Sequence, residues 1–224
     1  MCGRFTLRTP ATVLIEQFGL STGLDALDDL KPRYNIAPSQ QVLAVRESEG
    51  HRVPVWLRWG LIPSWADDAK IGYKLINARG NTVASKPSFR SAFKSRRCLV
   101  LADGYFEWKP IDSKHKQPYY FQRADGAPFA FAGLWEHWHK EQVAIESCTL
   151  ITTDPNALAG TVHNRMPVVL NERDYEMWLT ADTPRERLQQ FLLPLPDDVL
   201  TATPVSTYVN KPANQGPECI EPTK

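Results

Sequence analysis

Cysteine is sparse in this chain and nowhere paired. The four present (Cys2, Cys98, Cys148 and Cys219) stand far apart with no Cys-x-x-Cys among them, which excludes a disulfide framework and a zinc knuckle. No apolar run approaches the roughly 20 residues that cross a bilayer, and the N-terminus lacks the apolar stretch of a secretory signal. Excess charge is missing too. The net charge is +1 at pH 7, so no whole-molecule field marks a polyanion binder, although a balanced total can hide a local basic face. There is no internal repeat, low-complexity linker or break in composition. With 42% hydrophobic and 23% charged residues over 224 positions, the chain can bury one good core. One domain spanning residues 1–224 is expected, in a reducing cytoplasmic setting with no membrane partner.

Local patterns favour strands. QVLAVRES, HRVPVWLRWGLIP, RRCLVLADGYFEW, QPYYFQRA, PFAFAGLWEHW and AIESCTLITT are strand-like runs, separated by turn signals such as Ala124-Asp125-Gly126. Cys98 and Cys148 fall inside two of these runs and read as inert core residues. Helical signals are short. Thr9-Pro10 before ATVLIEQFG predicts an N-cap, a proline at the first helical position and a stop at Gly19. NTVASKPSFRSAF predicts a short helix interrupted at Pro87, and NERDYEMWL one that opens at Asn171. TPRERLQQFL places Thr183 and Glu186 at capping-box spacing. The tail TATPVSTYVNKPANQGPECIEPTK has no helical period and reads as extended. Many strands with a few peripheral helices define an α+β fold built on mostly antiparallel sheet.

The chemistry starts at Cys2. Removal of Met1 would put an α-amine and a thiol on one Cα. Their reference pKa values are about 7.7–8.0 and about 8.5, so a useful fraction of each is reactive near neutrality. Such a pair condenses with an aldehyde to an imine, and the thiol then closes on the imine carbon as a five-membered thiazolidine. The same residue could instead act as an N-terminal nucleophile with its own amine as base. It could also be an inert small residue at a chain end.

Three segments concentrate polar residues within apolar surroundings. In Leu75-Ile76-Asn77-Ala78-Arg79, a strand end delivers an amide and a guanidinium, unless Asn77 is merely a turn residue. In Asp103-Gly104-Tyr105-Phe106-Glu107-Trp108, strand alternation turns Glu107 away from its aromatic neighbours. It is either a surface carboxylate or, in a partly dry pocket, a proton carrier with a raised pKa. In His163-Asn164-Arg165-Met166-Pro167, an imidazole suited to proton transfer near neutrality precedes an apolar strand. A satisfied loop histidine is the other reading. His137 and His139 share strand spacing but lack further ligands at metal spacing, so no metal and no cofactor is expected. Basic residues recur at Arg4, Arg33, Arg58, Arg79, Arg90, Lys94, Arg96, Arg97, Lys109 and Arg165, most of them read as solvated surface. Trp59, Trp65 and Trp108 lie close in sequence to Arg58, Arg79 and Lys109, the mixture a single-strand stacking platform uses. Trp56, Trp135 and Trp178 read as core.

Taken together, ordered motifs covering nearly the whole chain resemble the SRAP (SOS response-associated peptidase) family. They are Met1-Cys2-Gly3-Arg4-Phe5, Arg33-Tyr34-Asn35-Ile36-Ala37-Pro38, Trp59-Gly60-Leu61-Ile62-Pro63-Ser64-Trp65 and Ile76-Asn77-Ala78-Arg79. Asp103–Trp108, His163–Pro167 and the tail residues Val205-Ser206, Val209-Asn210 and Asn214-Gln215-Gly216 complete the set. The resemblance implies a barrel-like antiparallel core. It implies a monomeric sensor of abasic sites in single-stranded DNA, nucleoid-associated in a bacterial cell, with replication-machinery partners left open. By that resemblance Cys2 forms the thiazolidine with the sugar aldehyde, and Asn77 orients the N-terminus and the sugar. Glu107 carries the proton for imine formation, and His163 assists ring opening and reversal. Gly3, Arg4, Arg79 and Arg165 bind the DNA backbone, while Trp65 and Trp108 stack on or wedge between bases. A cysteine-type (auto)peptidase using Cys2, or a lyase-like activity, is the alternative.

Overall fold

The apolar runs pair as strands, and one of them closes a barrel. A computed structural model describes residues 2–223. In chain order its strands are β1 (Arg4–Leu7), β2 (Arg33–Ile36), β3 (Gln41–Ser48), β4 (His51–Trp59), β5 (Asn77–Arg79), β6 (Arg97–Ala102) and β7 (Gly104–Pro110). They continue with β8 (Lys116–Arg123), β9 (Phe129–Lys140), β10 (Val143–Thr153), β11 (Met166–Pro167), β12 (Val169–Leu170) and β13 (Leu200–Pro204). The helices are α1 (Ala11–Phe18), α2 (Gly80–Val83), α3 (Arg90–Ser95), α4 (Ala157–Gly160), α5 (Tyr175–Leu179) and α6 (Arg185–Gln190). Among the described residues no helix is long and apolar enough to cross a membrane.

Two sheets divide the strands. One has the order β13-β8-β7-β1-β2 and is antiparallel throughout. In the other, β4, β3, β6, β9 and β10 pair in a ring, closed where β10 meets both β9 and β4. The fold is thus α+β with antiparallel sheets and a closed barrel of five strands. Closure uses a parallel pairing, Ser147 to Arg58 and Cys148 to Trp59, inside an otherwise antiparallel ring. Closing the ring removes the exposed sheet edges that would otherwise template aggregation.

The barrel and the open sheet meet at β1. Phe5 is fully buried and lies edge-on to Trp59 at 5.1 Å and Phe131 at 5.6 Å. Burying a phenylalanine contributes about 1.5–3 kcal/mol, so the start of the chain is pinned to the barrel. Beyond β1, Asp103 gathers the backbone amide and hydroxyl of Thr9, the amide and guanidinium of Arg8, and the Thr6 hydroxyl. Behind β4, Gly60 has φ +125° and a Cβ there would lie 2.6 Å from Gly72 O. The two backbones touch because neither residue has a side chain, and this approach folds the intervening loop with Trp65 back on itself.

Several local expectations give way to tertiary partners. Helix α1 stops at Gly19 in the left-handed region, as expected, but Pro10 rather than Thr9 is its cap. The Thr9 hydroxyl donates to Asp103 instead. Helix α6 has no capping box, because the Thr183 hydroxyl donates to Met177 O. Asn171 opens a 3-10 turn, Glu172–Asp174, and α5 begins only at Tyr175. The tail carries two short 3-10 turns, Thr207–Asn210 and Pro217–Cys219, on an otherwise extended path. Trp59 is core, not a stacking platform: it is fully buried, with its indole N–H donated to Ile76 O at 2.9 Å. Arg97 is likewise no surface cation, because it is buried and its guanidinium satisfies carbonyls of Phe93, Lys94, Trp178 and Thr180. Cys98 and Cys148 are buried core residues as expected.

Candidate active site

Cys2, Asn77, Glu107 and His163 come from four distant stretches; the sheets bring Asn77 and Glu107 to Cys2 at one end of β1, and His163 sits on the loop after α4. Cys2 is fully buried. Its carbonyl accepts a hydrogen bond from Asn77 Nδ2 at 2.8 Å, and its thiol donates to Arg4 O at 3.7 Å. Asn77 begins β5, which lies parallel to β10 with Asn77 opposite Leu150. With its amide committed to Cys2, Asn77 Oδ1 has no hydrogen-bond partner among the described residues although it is shielded from solvent. A buried acceptor without a partner costs free energy unless something supplies a donor.

Glu107 arrives on β7. Arg4 pairs with Phe106, so the next step along the two strands brings Glu107 level with Gly3. Alternation turns Phe106 and Trp108 toward the tail, where Phe106 packs with Tyr120, Val205, Val209 and Cys219. Glu107 and Tyr105 take the opposite face. Glu107 is 4% exposed, and burial raises its pKa from 4.5 to about 7. The surface-carboxylate reading is therefore excluded. Burial, followed by the charge of Glu107, pushes the Cys2 thiol well above its ordinary range, so the resting sulfur keeps its proton.

His163 follows α4 and is held by its own loop. Its amide donates to Ala159 O at 2.9 Å, and its Nδ1 lies 3.0 Å from the Arg165 amide nitrogen and 3.2 Å from the Arg165 carbonyl oxygen. Burial lowers its pKa below 6.5, so the ring is neutral near pH 7. The charge of Lys116 acts on both Glu107 and His163, which share one electrostatic environment.

The expected DNA-binding residues divide by what already holds them. Arg79 ends β5 and is exposed. Arg165 is bonded to the Asp154 carboxylate at 2.5 Å and to Thr152 O at 2.6 Å. Arg4 donates to Asn35 Oδ1 at 2.8 Å and Val209 O at 2.9 Å, and Trp108 gives its indole N–H to Asn210 Oδ1 at 2.7 Å. Gly3 is half-buried beside them. Trp65 is 59% exposed on the loop after Gly60, beside a groove with Asp67, Lys70 and Lys74.

Sequence reasoning missed three contributors. Asn35 is fully buried and joins β2 to Arg4 and the tail. Its one signal was a place in the Arg33–Pro38 motif, which carried no role for its side chain. Lys116 carried no signal, since only pairing of β7 with β8 brings it near Glu107. Tyr105 shares the Glu107 face, and its buried hydroxyl has no hydrogen-bond partner among the described residues.

A closed barrel thus meets an antiparallel sheet at the first strand, where a buried cysteine sits beside a carboxyl raised to about 7. The protein belongs to the SOS response associated peptidase (SRAP) family, whose model matches residues 1–212. It is 44% identical over 223 residues to abasic site processing protein YoqW of Bacillus subtilis, covering 99% of both chains. It is 30% identical to abasic site processing protein YedK of Escherichia coli, over 99% of this chain and 100% of that one. With abasic site processing protein HMCES of Xenopus tropicalis the identity is 33%, over 86% of this chain and 67% of that protein. A crystal structure of a protein from Bacteroides thetaiotaomicron superposes with a TM-score of 0.90 at 25% identity over the whole of both chains.

Proposed function

We propose that this protein captures abasic sites in single-stranded DNA as a covalent thiazolidine through Cys2. The observation that carries the reading is the assembly of Cys2, Asn77, Glu107 and His163 in one shielded site, with a carboxyl at about 7 beside the thiol. Met1 lies outside the described residues, and its removal is part of the proposal.

An abasic sugar exposes an aldehyde when its ring opens. His163, neutral near pH 7, can accept the C1′ hydroxyl proton while the ring oxygen gains one, which opens the ring. The freed Cys2 amine adds to the aldehyde carbon, forming C–N as the carbonyl oxygen takes up a proton. Glu107, half protonated near pH 7, gives that oxygen a second proton and water leaves, forming the C=N bond. The sulfur then adds to the same carbon and its proton goes to the Glu107 carboxylate, which restores the acid, while the nitrogen keeps its one remaining hydrogen. Aldehyde plus aminothiol becomes thiazolidine plus water, with nothing oxidised or reduced. Asn77 holds the Cys2 carbonyl, and its Oδ1 offers an acceptor for a sugar hydroxyl. Arg79, Arg165 and Arg4 with Gly3 would hold the backbone, and Trp108 and Trp65 the flanking bases.

The test is a denaturing gel of the protein with single-stranded DNA carrying one abasic site, paired with intact mass. Wild type should start at Cys2 and give a heat-stable adduct with abasic DNA and none with intact DNA. Cys2→Ala should bind DNA yet give no stable adduct. A heat-stable adduct from Cys2→Ala, or retained Met1 in an active preparation, would refute the mechanism.

A further inference from the structure

We propose that Asn210, in the C-terminal turn, is a positioning residue that sets the ring plane of Trp108 against Arg4. The inference deepens the DNA-capture reading and rests on it. Asn210 touches both side chains. Its Oδ1 accepts the Trp108 indole N–H at 2.7 Å, and its main-chain O accepts from Arg4 Nη2 at 3.3 Å. The Arg4 guanidinium carbon lies 5.9 Å from the centre of the Trp108 ring. Cation, ring and amide therefore form one unit, assembled from residues 102 and 206 positions apart.

The turn that presents Asn210 is itself anchored. Val209 and Cys219 are fully buried against Phe106 and Val205. Asn35 Nδ2 donates to the carbonyls of Val209, Lys211 and Asn214 at 3.1, 3.0 and 2.9 Å. Asn214 Nδ2 closes the loop on Tyr208 O at 2.6 Å. Arg4 in turn donates to Asn35, Val209 and Asn210. A guanidinium has five N–H groups, so its plane is fixed while some donors remain for a phosphate.

Trp108 is only half-buried, and packing alone leaves such a ring free to turn. A base gains from stacking only on a ring held in the right plane. Fixing that plane before the strand arrives lowers the ordering cost of binding. Asn210→Ala removes the hydrogen bond to Trp108 and keeps the main-chain acceptor for Arg4, so it isolates the ring.

The experiment measures adduct formation against concentration of a single-stranded oligonucleotide carrying one abasic site. Glycolaldehyde, which has neither base nor phosphate, is the control aldehyde. Asn210→Ala should raise the half-saturating DNA concentration about threefold to tenfold. The maximal rate and the glycolaldehyde rate should stay at wild-type values. Trp108→Phe keeps a ring and loses the indole N–H, so it should raise half-saturation similarly. The double variant should be no worse than the poorer single, since both remove the same hydrogen bond. In nitrogen-labelled protein the Trp108 indole proton should exchange faster with solvent in Asn210→Ala. An unchanged half-saturation in Asn210→Ala, or additive losses in the double variant, overturns the inference. So does an equal loss on DNA and glycolaldehyde with a lowered melting temperature, which would make Asn210 purely structural. A wild type that captures neither substrate overturns the DNA-capture reading and this inference with it. Normal capture by both wild type and Asn210→Ala overturns this inference alone.

Discussion

Glu107→Gln removes one ionisable group while keeping its size, and its consequence can be worked out from burial. The wild-type carboxyl titrates at about 7 in the folded protein against an ordinary 4.5. Below the lower value both folded and unfolded chains hold the proton. Between the two values the unfolded chain gives up its proton and the native state keeps it. The native state then binds more protons, so stability falls as pH rises through this window and levels off above the folded value. At about 1.4 kcal/mol per pH unit, the full penalty is about 3 kcal/mol. The glutamine variant carries no such penalty. Its stability relative to wild type should therefore improve by about 3 kcal/mol between about pH 4 and about pH 8. For a chain of this size that is several degrees in melting temperature, at about 2–4 °C per kcal/mol. Urea unfolding of both proteins at the two pH values measures it. Using the change with pH cancels any fixed difference in packing or hydrogen bonding between Glu and Gln. The same variant should slow DNA capture by up to about 10²–10⁴, the usual worth of a positioned acid or base. A stability difference that does not vary with pH, or that varies with the opposite sign, would refute the buried carboxyl and the proton-carrying role together.

The other outcomes concern Arg79 and His163. Arg79→Ala should lower the slope of log K against log salt by about 0.7 for single-stranded DNA, the share of a single neutralised phosphate. An unchanged slope in a titration from low to high salt would assign Arg79 a structural role. His163→Ala should slow capture of a closed-ring abasic sugar and slow release of a preformed adduct, while a linear aldehyde analogue reacts almost normally. Equal losses on both substrates in single-turnover measurements would remove its ring-opening role.

Much of the fold is written in local pattern. The strand runs are legible because alternating or continuous apolar residues must bury a face, and turn residues separate them. Gly19 ends its helix because a left-handed residue is needed there and glycine adopts that conformation without a steric penalty. Glu107 could be aimed from sequence, since strand alternation alone separates it from Phe106 and Trp108. Residue type alone leaves Asn77, Glu107 and His163 each with a bland reading beside a chemical one, and it is the resemblance of the ordered motifs to the SRAP family that singles them out with Cys2.

Other features depend on partners far away in sequence, and no local signal specifies them. Thr9 and Thr183 have the residue types of helix caps, yet each hydroxyl finds a better-placed acceptor in Asp103 or Met177 O. Trp59 looks like a stacking platform beside Arg58 until the Phe5 ring closes over it. Barrel closure rests on a parallel pairing of β4 with β10, whose partners lie about ninety residues apart. Sequence alone therefore determined which residues could do chemistry, because reactivity resides in side-chain type, and roughly where the strands lie, because periodicity is local. Only the tertiary structure decided which carboxyl is dry, which thiol lies beside it and which arginine is already engaged. Desolvation and hydrogen-bond competition are set by everything packed around a group, and that packing is assembled from opposite ends of the chain.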